Sequence, residues 1–446
     1  MPQSTRREFL TMSGAVLGGI AVGTTVTAAE RTDRFIVSTK GRANLRSLEG
    51  VHEMPGIDYA VVRGSEKDIR RAVSDYAPDM ELQLNEPEIN ADGPTLHDAS
   101  DYEGQPGDFL QWDKADLDVP EAHETTEGEG SRVAIIDSGV LETHPDLAGP
   151  LNLDLSRNFT DDGGDHNPLG GDDHGTHVAG IVAADNGGGI GVNGTAPRTD
   201  LVDCRVFSGP TASFGDILAA VVYSAAIDAD VANLSLGAYP IPRQELGSFY
   251  GKVLNSTMTY ANKGGTLLVI AASNDTADLQ HDKNYISLPN EGAQAVSVAA
   301  TGPIGYGWDA DGDGEVTDLA SPPESPAFYT NYGTNAITLG APGGDADLGA
   351  IGTGVPWFNE LVFNTVFTYE DTDDDEPDTQ VPGYGWKAGT SMAAPQVAGA
   401  AALVKSTNPN YNANQVEAAL KKAADVPDGY DKAFYGAGFL NVVDAL

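Results

Sequence analysis

The segment Val133-Ala134-Ile135-Ile136-Asp137-Ser138-Gly139 opens on four apolar residues, three of them β-branched, and stops on a carboxylate followed by two small residues. A run that is short and apolar at every position reads as a strand buried on both faces, the kind from which parallel sheets are made. Asp137 then stands at the carboxyl end of that strand, where open α/β sheets carry their sites. Leu267-Leu268-Val269-Ile270-Ala271-Ala272 repeats the pattern and runs into Ser273-Asn274-Asp275. Two further segments carry chemistry. Asp172-Asp173-His174-Gly175-Thr176-His177-Val178-Ala179-Gly180 leads into a small-residue helix, with His174 in its first turn and His177 one turn on. Gly389-Thr390-Ser391-Met392-Ala393-Ala394-Pro395 puts a hydroxyl at the head of another such helix, where the positive end of the helix dipole favours an attacking oxygen and a developing oxyanion.

Asp, His and Ser in that chain order, each in its own glycine-containing motif, resemble the subtilisin-like serine proteases, or subtilases, over roughly residues 110 to 446. The resemblance implies that Asp137 orients the base, His174 is the general base and acid, Ser391 is the nucleophile and Asn274 donates its side-chain amide to the oxyanion. Asn233-Leu234-Ser235-Leu236-Gly237 resembles the family's edge segment that pairs with extended substrate. Asn331-Tyr332-Gly333, Ala341-Pro342-Gly343 and the stretch Tyr435 to Asn441 match further landmarks. The same resemblance lines the primary specificity pocket with Ser235-Leu236-Gly237 and Ala271-Ala272-Ser273, over a floor at Ile286-Ser287-Leu288-Pro289. The family usually has Gly where Ser273 stands, and often Gly at Ser287. A floor narrowed by Ser287 is expected to accept Leu or Met at least as well as Phe or Tyr.

The amino-terminal part reads differently. Arg6-Arg7 precedes a Gly- and Ala-rich apolar stretch from about Met12 to Ala29, the layout of a twin-arginine secretory signal. The stretch is a poor membrane span, so cleavage with no stable membrane association afterwards is expected. Arg34-Phe35-Ile36-Val37 and Tyr59-Ala60-Val61-Val62 read as strands, and Glu66 to Tyr76 as an amphipathic helix with Ile69 and Val73 inward. This unit resembles the family's inhibitor-type propeptide, which implies an intramolecular inhibitor and folding template. Asn90 to Asp108, rich in Asp, Gly and Pro, reads as an exposed link open to processing. The expected organisation is signal over 1–29, propeptide and link over 30–108, and catalytic domain over 109–446.

Sixty-six acidic residues against twenty-five basic ones give a formal net charge of −41. Such self-repulsion strains a compact fold in dilute buffer and is screened in molar salt, where the Debye length is about 3 Å. With the export signal, this composition resembles secreted proteases of the halolysin kind, from halophilic archaea. It also argues against nucleic acid as a partner, because phosphates would be repelled. The single cysteine, Cys204, excludes an intrachain disulfide and reads as a buried filler in a strand.

Calcium is the expected structural ion. Asp309-Ala310-Asp311-Gly312-Asp313-Gly314-Glu315 places oxygens at alternate positions with a glycine at the sixth, the first half of a calcium loop. The twelfth position is Ala320, so Asp318 or Glu324 would supply the missing carboxylate. Asp371 to Asp375 lacks the glycine and reads as a solvated loop. Asn186 to Val192 resembles the family's tight calcium loop, with Asp146 as its remote ligand. Gly343 to Gly389 is longer than the family's usual link and carries Trp357, Phe358, Phe363, Phe367, Tyr384 and Trp386, so part of it is expected to pack on the core.

The sequence therefore predicts an α/β fold, a mainly parallel twisted sheet with helices on both faces, preceded by a small α/β unit. The function expected is secreted serine endopeptidase acting on polypeptides, with no cofactor in the chemistry. The alternatives are a catalytically inactive binding protein on the same fold and a metallohydrolase using His166, Asp172, His174 and His177. The second lacks the Glu-bearing zinc pattern.

Overall fold

The computed structural model describes residues 33–40, 44–83, 86–89, 93–97, 110–187, 189, 191–310, 319–370 and 379–446. The signal segment therefore lies outside the described residues. Among those described, no helix is long and apolar enough to cross a membrane.

The amino-terminal unit consists of β1 (Arg34–Ser38), β2 (Glu49–Met54), β3 (Tyr59–Arg63), α1 (Glu66–Ala72) and β4 (Tyr76–Pro78), followed by β5 (Glu81–Gln83). Its antiparallel sheet has the order β2-β3-β1-β4. Ser65 caps α1 by accepting from the Asp68 N–H. The helix ends at Ala72, not at Tyr76 as the periodicity suggested. Val73 is extended at φ −136°, and Tyr76 is drawn into β4 by pairing with β1. Ile69 and Val73 are both buried, as the pattern required.

The larger part is built on β6 (Arg132–Asp137), β7 (Arg157–Asn158), α2 (His174–Ala183), β8 (Asp200–Arg205), β9 (Phe207–Ser208), β10 (Thr211–Ser213), α3 (Phe214–Ala226), β11 (Val231–Leu234), β12 (Ala238–Pro242), α4 (Arg243–Gly264), β13 (Leu267–Ala271), β14 (Tyr285–Leu288), β15 (Ala295–Thr301), β16 (Leu339–Pro342), β17 (Val362–Glu370), β18 (Thr379–Lys387), α5 (Thr390–Thr407) and α6 (Ala413–Ala423). Seven parallel strands run in the order β16-β15-β13-β11-β6-β8-β7. Two cores follow from a sheet buried on both faces. Val133 and Ile135 of β6 pack with α2 and α5, while Ala134 and Ile136 pack with α3 and α4. Cys204, in β8, is fully buried in the second of these. The long segment before α5 forms the antiparallel hairpin β17–β18, and Trp357, Phe363, Phe367 and Tyr384 are buried as expected of an insertion that packs on the core.

The amino-terminal sheet sits on α3 and α4, with Ile36, Tyr59 and Val61 joining Phe214, Ile217 and Phe249 in one apolar cluster. Polar contacts ring it. Arg34 pairs with Asp79 at 3.1 Å and with Asp216, while His52 Nε2 lies 2.7 Å from Asp216. Asp79 accepts from the Gly215 N–H at 2.7 Å at the head of α3, and β5 pairs antiparallel with β10.

Candidate active site

Asp137 ends β6 and His174 begins α2, so the strand and helix that the sequence predicts bring the two together. His174 Nδ1 donates to Asp137 Oδ1 over 2.7 Å, and the Ser138 N–H donates to the same oxygen at 2.8 Å. Gly175 allows this approach, because a Cβ there would come within 2.5 Å of the Gly139 carbonyl oxygen. Ser138 Oγ accepts from the Gly175 N–H at 2.9 Å, which docks the turn after β6 on the first turn of α2. Burial works against a charged imidazole, but the Asp137 carboxylate outweighs it, with Glu86 and Asp172 adding to the same effect, and holds His174 above the ordinary histidine value.

Ser391 lies in the first turn of α5. Pro395 has no N–H, so the Ser391 carbonyl loses its helical donor four residues on. Ser235 at the end of β11 replaces it, its hydroxyl donating to Ser391 O at 2.7 Å while Asn233 Nδ2 donates to Ser235 Oγ at 2.9 Å. Ser391 Oγ donates to the Ser235 carbonyl at 3.2 Å, and among the described hydrogen bonds none joins it to His174. That bond is one a hydroxyl exchanges readily once substrate orders the site.

Asn274 follows β13 and faces the same helix head. Its Oδ1 accepts from Thr390 N at 2.9 Å and from Thr390 Oγ1 at 2.8 Å. A backbone N–H can only donate, so the amide orientation is fixed and Nδ2 is the group turned toward the cleft. Asn331 staples this loop, donating to Ala272 O at 2.9 Å and accepting from the Asp275 and Ala277 N–H groups at 3.0 and 2.8 Å. The sequence singled Asn331 out only as a landmark; its role follows from partners more than fifty residues away.

The pocket residues gather at the ends of β11 and β13. Leu236 turns its side chain into the core, and Ala272 is buried with its N–H on Val298 O at 3.0 Å. Ser273 adopts φ +75°, so this serine holds the left-handed conformation that glycine takes without penalty, a strain of about 1–2 kcal/mol. Ser287 is fully buried, and its N–H donates to Glu291 Oε2 at 2.6 Å.

The cleft beside His174 is covered by the chain itself. Glu86, Pro87, His174, Trp386, Lys387 and Met392 bound a cavity of about 100 Å³. Pro87 Cδ lies 3.6 Å from where a Cβ on Gly389 would be, as does Asn274 Nδ2. Further along, Leu96 and Tyr384 exchange backbone hydrogen bonds of 2.8 and 2.9 Å.

The metal expectations divide. Asp311, Asp313, Glu315 and Asp318 lie outside the described residues, as do Asp371 to Asp375; the base of the Asp309 loop is closed by Ala320 N donating to Ile304 O at 2.8 Å. Asp146 faces the Asn186 to Val192 loop, and its Oδ2 accepts from the Val192 N–H and the Tyr384 hydroxyl, both at 2.9 Å. The histidines invoked for a metallohydrolase also part company. His177 bonds Val362 O at 3.1 Å and is held neutral by burial, while His166 bonds Asp203 at 3.1 Å. Among the described residues no group of three or more His, Cys, Asp or Glu is arranged to hold a metal.

Fold and rim chemistry together are those of a serine endopeptidase. The Peptidase_S8 subtilase family model matches residues 128–438, and the chain belongs to that family. Halolysin of Haloferax mediterranei is 27% identical over 100% of this chain and 76% of its own length. A thermophilic serine proteinase of Bacillus sp. (strain AK1) is 30% identical over 73% of this chain, and the match spans 64% of that proteinase, less than two thirds of it. Among solved structures, proteases from Pseudoalteromonas arctica PAMC 21717 superpose with a TM-score of 0.58 at 27% identity, covering 75% of this chain and 96% of theirs.

Proposed function

We propose that the protein is a secreted, salt-adapted serine endopeptidase made as a self-processing precursor, with Asp137, His174 and Ser391 as its triad. The observation that carries this reading is the 2.7 Å bond between His174 Nδ1 and Asp137 Oδ1 at the rim where Ser391 heads its helix. His174 Nε2 takes the proton of the Ser391 hydroxyl as Oγ forms its bond to the peptide carbonyl carbon. Asn274 Nδ2 and the Ser391 N–H hold the resulting oxyanion. His174 then returns the proton to the leaving amine as the C–N bond breaks. Water attacks the acyl ester by the same route, releasing the carboxyl product and restoring Ser391.

The amino-terminal unit acts as the intramolecular inhibitor. Its apolar seat on α3 and α4, and the course of residues 86–89 across the cleft, support that role. Export through the twin-arginine route rests on Arg6-Arg7 and the apolar stretch after it. Salt adaptation rests on charge placement. From residue 110 onward 48 Asp and Glu face 14 Lys and Arg, whereas residues 33–83 carry nine and eight. A structural calcium at the Asp309 loop would offset part of that repulsion.

The test is covalent labelling with a serine-directed fluorophosphonate, read by peptide mapping. Modification of Ser391 with parallel loss of peptide hydrolysis is expected. Hydrolysis that survives complete labelling, or that a zinc chelator alone abolishes, overturns the reading.

A further inference from the structure

The subtilase resemblance places the side chain before the scissile bond in the gap between the ends of β11 and β13, which Ser235, bonded to Ser391, and Ser273, next to Asn274, border. The far side of that gap is closed. Ser273 Oγ lies 3.4 Å from Ser287 Oγ on the floor, and a Cβ added to Gly237 on the opposite wall would come within 2.5 Å of the same Ser273 oxygen. One hydroxyl thus stands between the floor and the space that a side chain on the facing wall would fill. Ser273 is 3% exposed and Ser287 is fully buried, so the two sit inside the gap, not on its lip.

We propose that Ser273 is a specificity-determining residue that restricts the residue preceding the scissile bond to Gly, Ala or Ser. The inference rests on the triad reading above. It goes beyond a floor narrowed by Ser287, because the barrier stands across the pocket before the floor is reached. Leu, Met and the aromatic residues all place atoms where Ser273 Oγ lies. The backbone at Ser273 already has the conformation glycine favours, so removing the side chain opens the gap without asking the chain to move.

The experiment uses the processed enzyme obtained from the full chain and peptides identical except for Ala, Leu or Phe before the scissile bond. The native enzyme is expected to favour Ala over Phe in kcat/KM. Ser273→Gly should raise the Phe-to-Ala ratio by about 10- to 200-fold, the range that small changes in pocket volume produce. Ser273→Ala, which keeps Cβ and removes only the hydroxyl, should give a smaller rise. A native preference for Phe or Tyr, or a ratio unchanged in both variants, overturns the proposal. Running Ser391→Ala alongside separates the two readings. Hydrolysis that survives that change refutes the triad, whereas Ser391-dependent hydrolysis with a preference for large residues refutes the pocket alone.

Discussion

The hydroxyl of Ser235 donates to the main-chain oxygen of Ser391 at 2.7 Å, filling the place that Pro395 leaves empty in the helix ladder. The proline loosens the helix one turn beyond Ser391, and a neighbouring strand end takes up the freed carbonyl. Ser235→Ala should therefore cost about 1–3 kcal/mol of stability, because a buried acceptor is left without a donor. Thermal melting of this variant in a Ser391→Ala background, where self-digestion is removed, measures it.

Asn274→Ala should lower turnover by about 10²- to 10³-fold with little change in KM, the signature of a donor used in the transition state. Steady-state kinetics on one peptide substrate decide it. Unchanged turnover would remove Asn274 from the site.

The pH dependence follows from the pairing of His174 with Asp137. In the proposed mechanism only neutral His174 accepts the Ser391 proton, and the adjacent carboxylate outweighs burial and raises the imidazole above the ordinary ~6.5. The acidic limb of kcat/KM should accordingly lie above that value, and activity should climb as pH rises through it. Asp137→Asn should move the limb down while cutting turnover by about 10⁴-fold. Stability has the opposite sign. A raised histidine stabilises the fold fully below about 6.5 and loses that contribution as pH passes its folded value, so Ser391→Ala protein should gain from the pair only on the acidic side.

The strands of the sheet and the placement of Asp137, His174, Asn274 and Ser391 were legible in the sequence because each depends on a local pattern, an apolar run or a helix head met by one polar residue. The hairpin β17–β18 was visible only as an excess of aromatics. Its nine-residue register depends on pairing across a segment whose length hides the partner. Val73 and Tyr76 kept helical periodicity yet went extended, since β4 closes the amino-terminal sheet. The bond from the Tyr384 hydroxyl to Asp146, 238 residues away, follows no local pattern and so could not be read from the sequence.

Transfer from molar salt to dilute buffer should inactivate the enzyme by unfolding it, because the charge beyond residue 110 is then unscreened. Added calcium should raise the melting temperature in low salt by mass action. Replacing Asp311 and Asp313 by Asn should remove that rise and leave activity in molar salt nearly intact. A double variant that melts like the parent at every calcium concentration would leave the acidic run a solvated loop.

The most direct measurement is the mass and amino-terminal sequence of the full chain carrying Ser391→Ala, prepared free of other proteases, beside the native protein. The native chain is expected to lose its amino-terminal unit and hydrolyse peptides, while the variant stays uncut and inactive with that unit still seated on α3 and α4. A variant that matures normally, or that retains hydrolysis, would contradict that expectation.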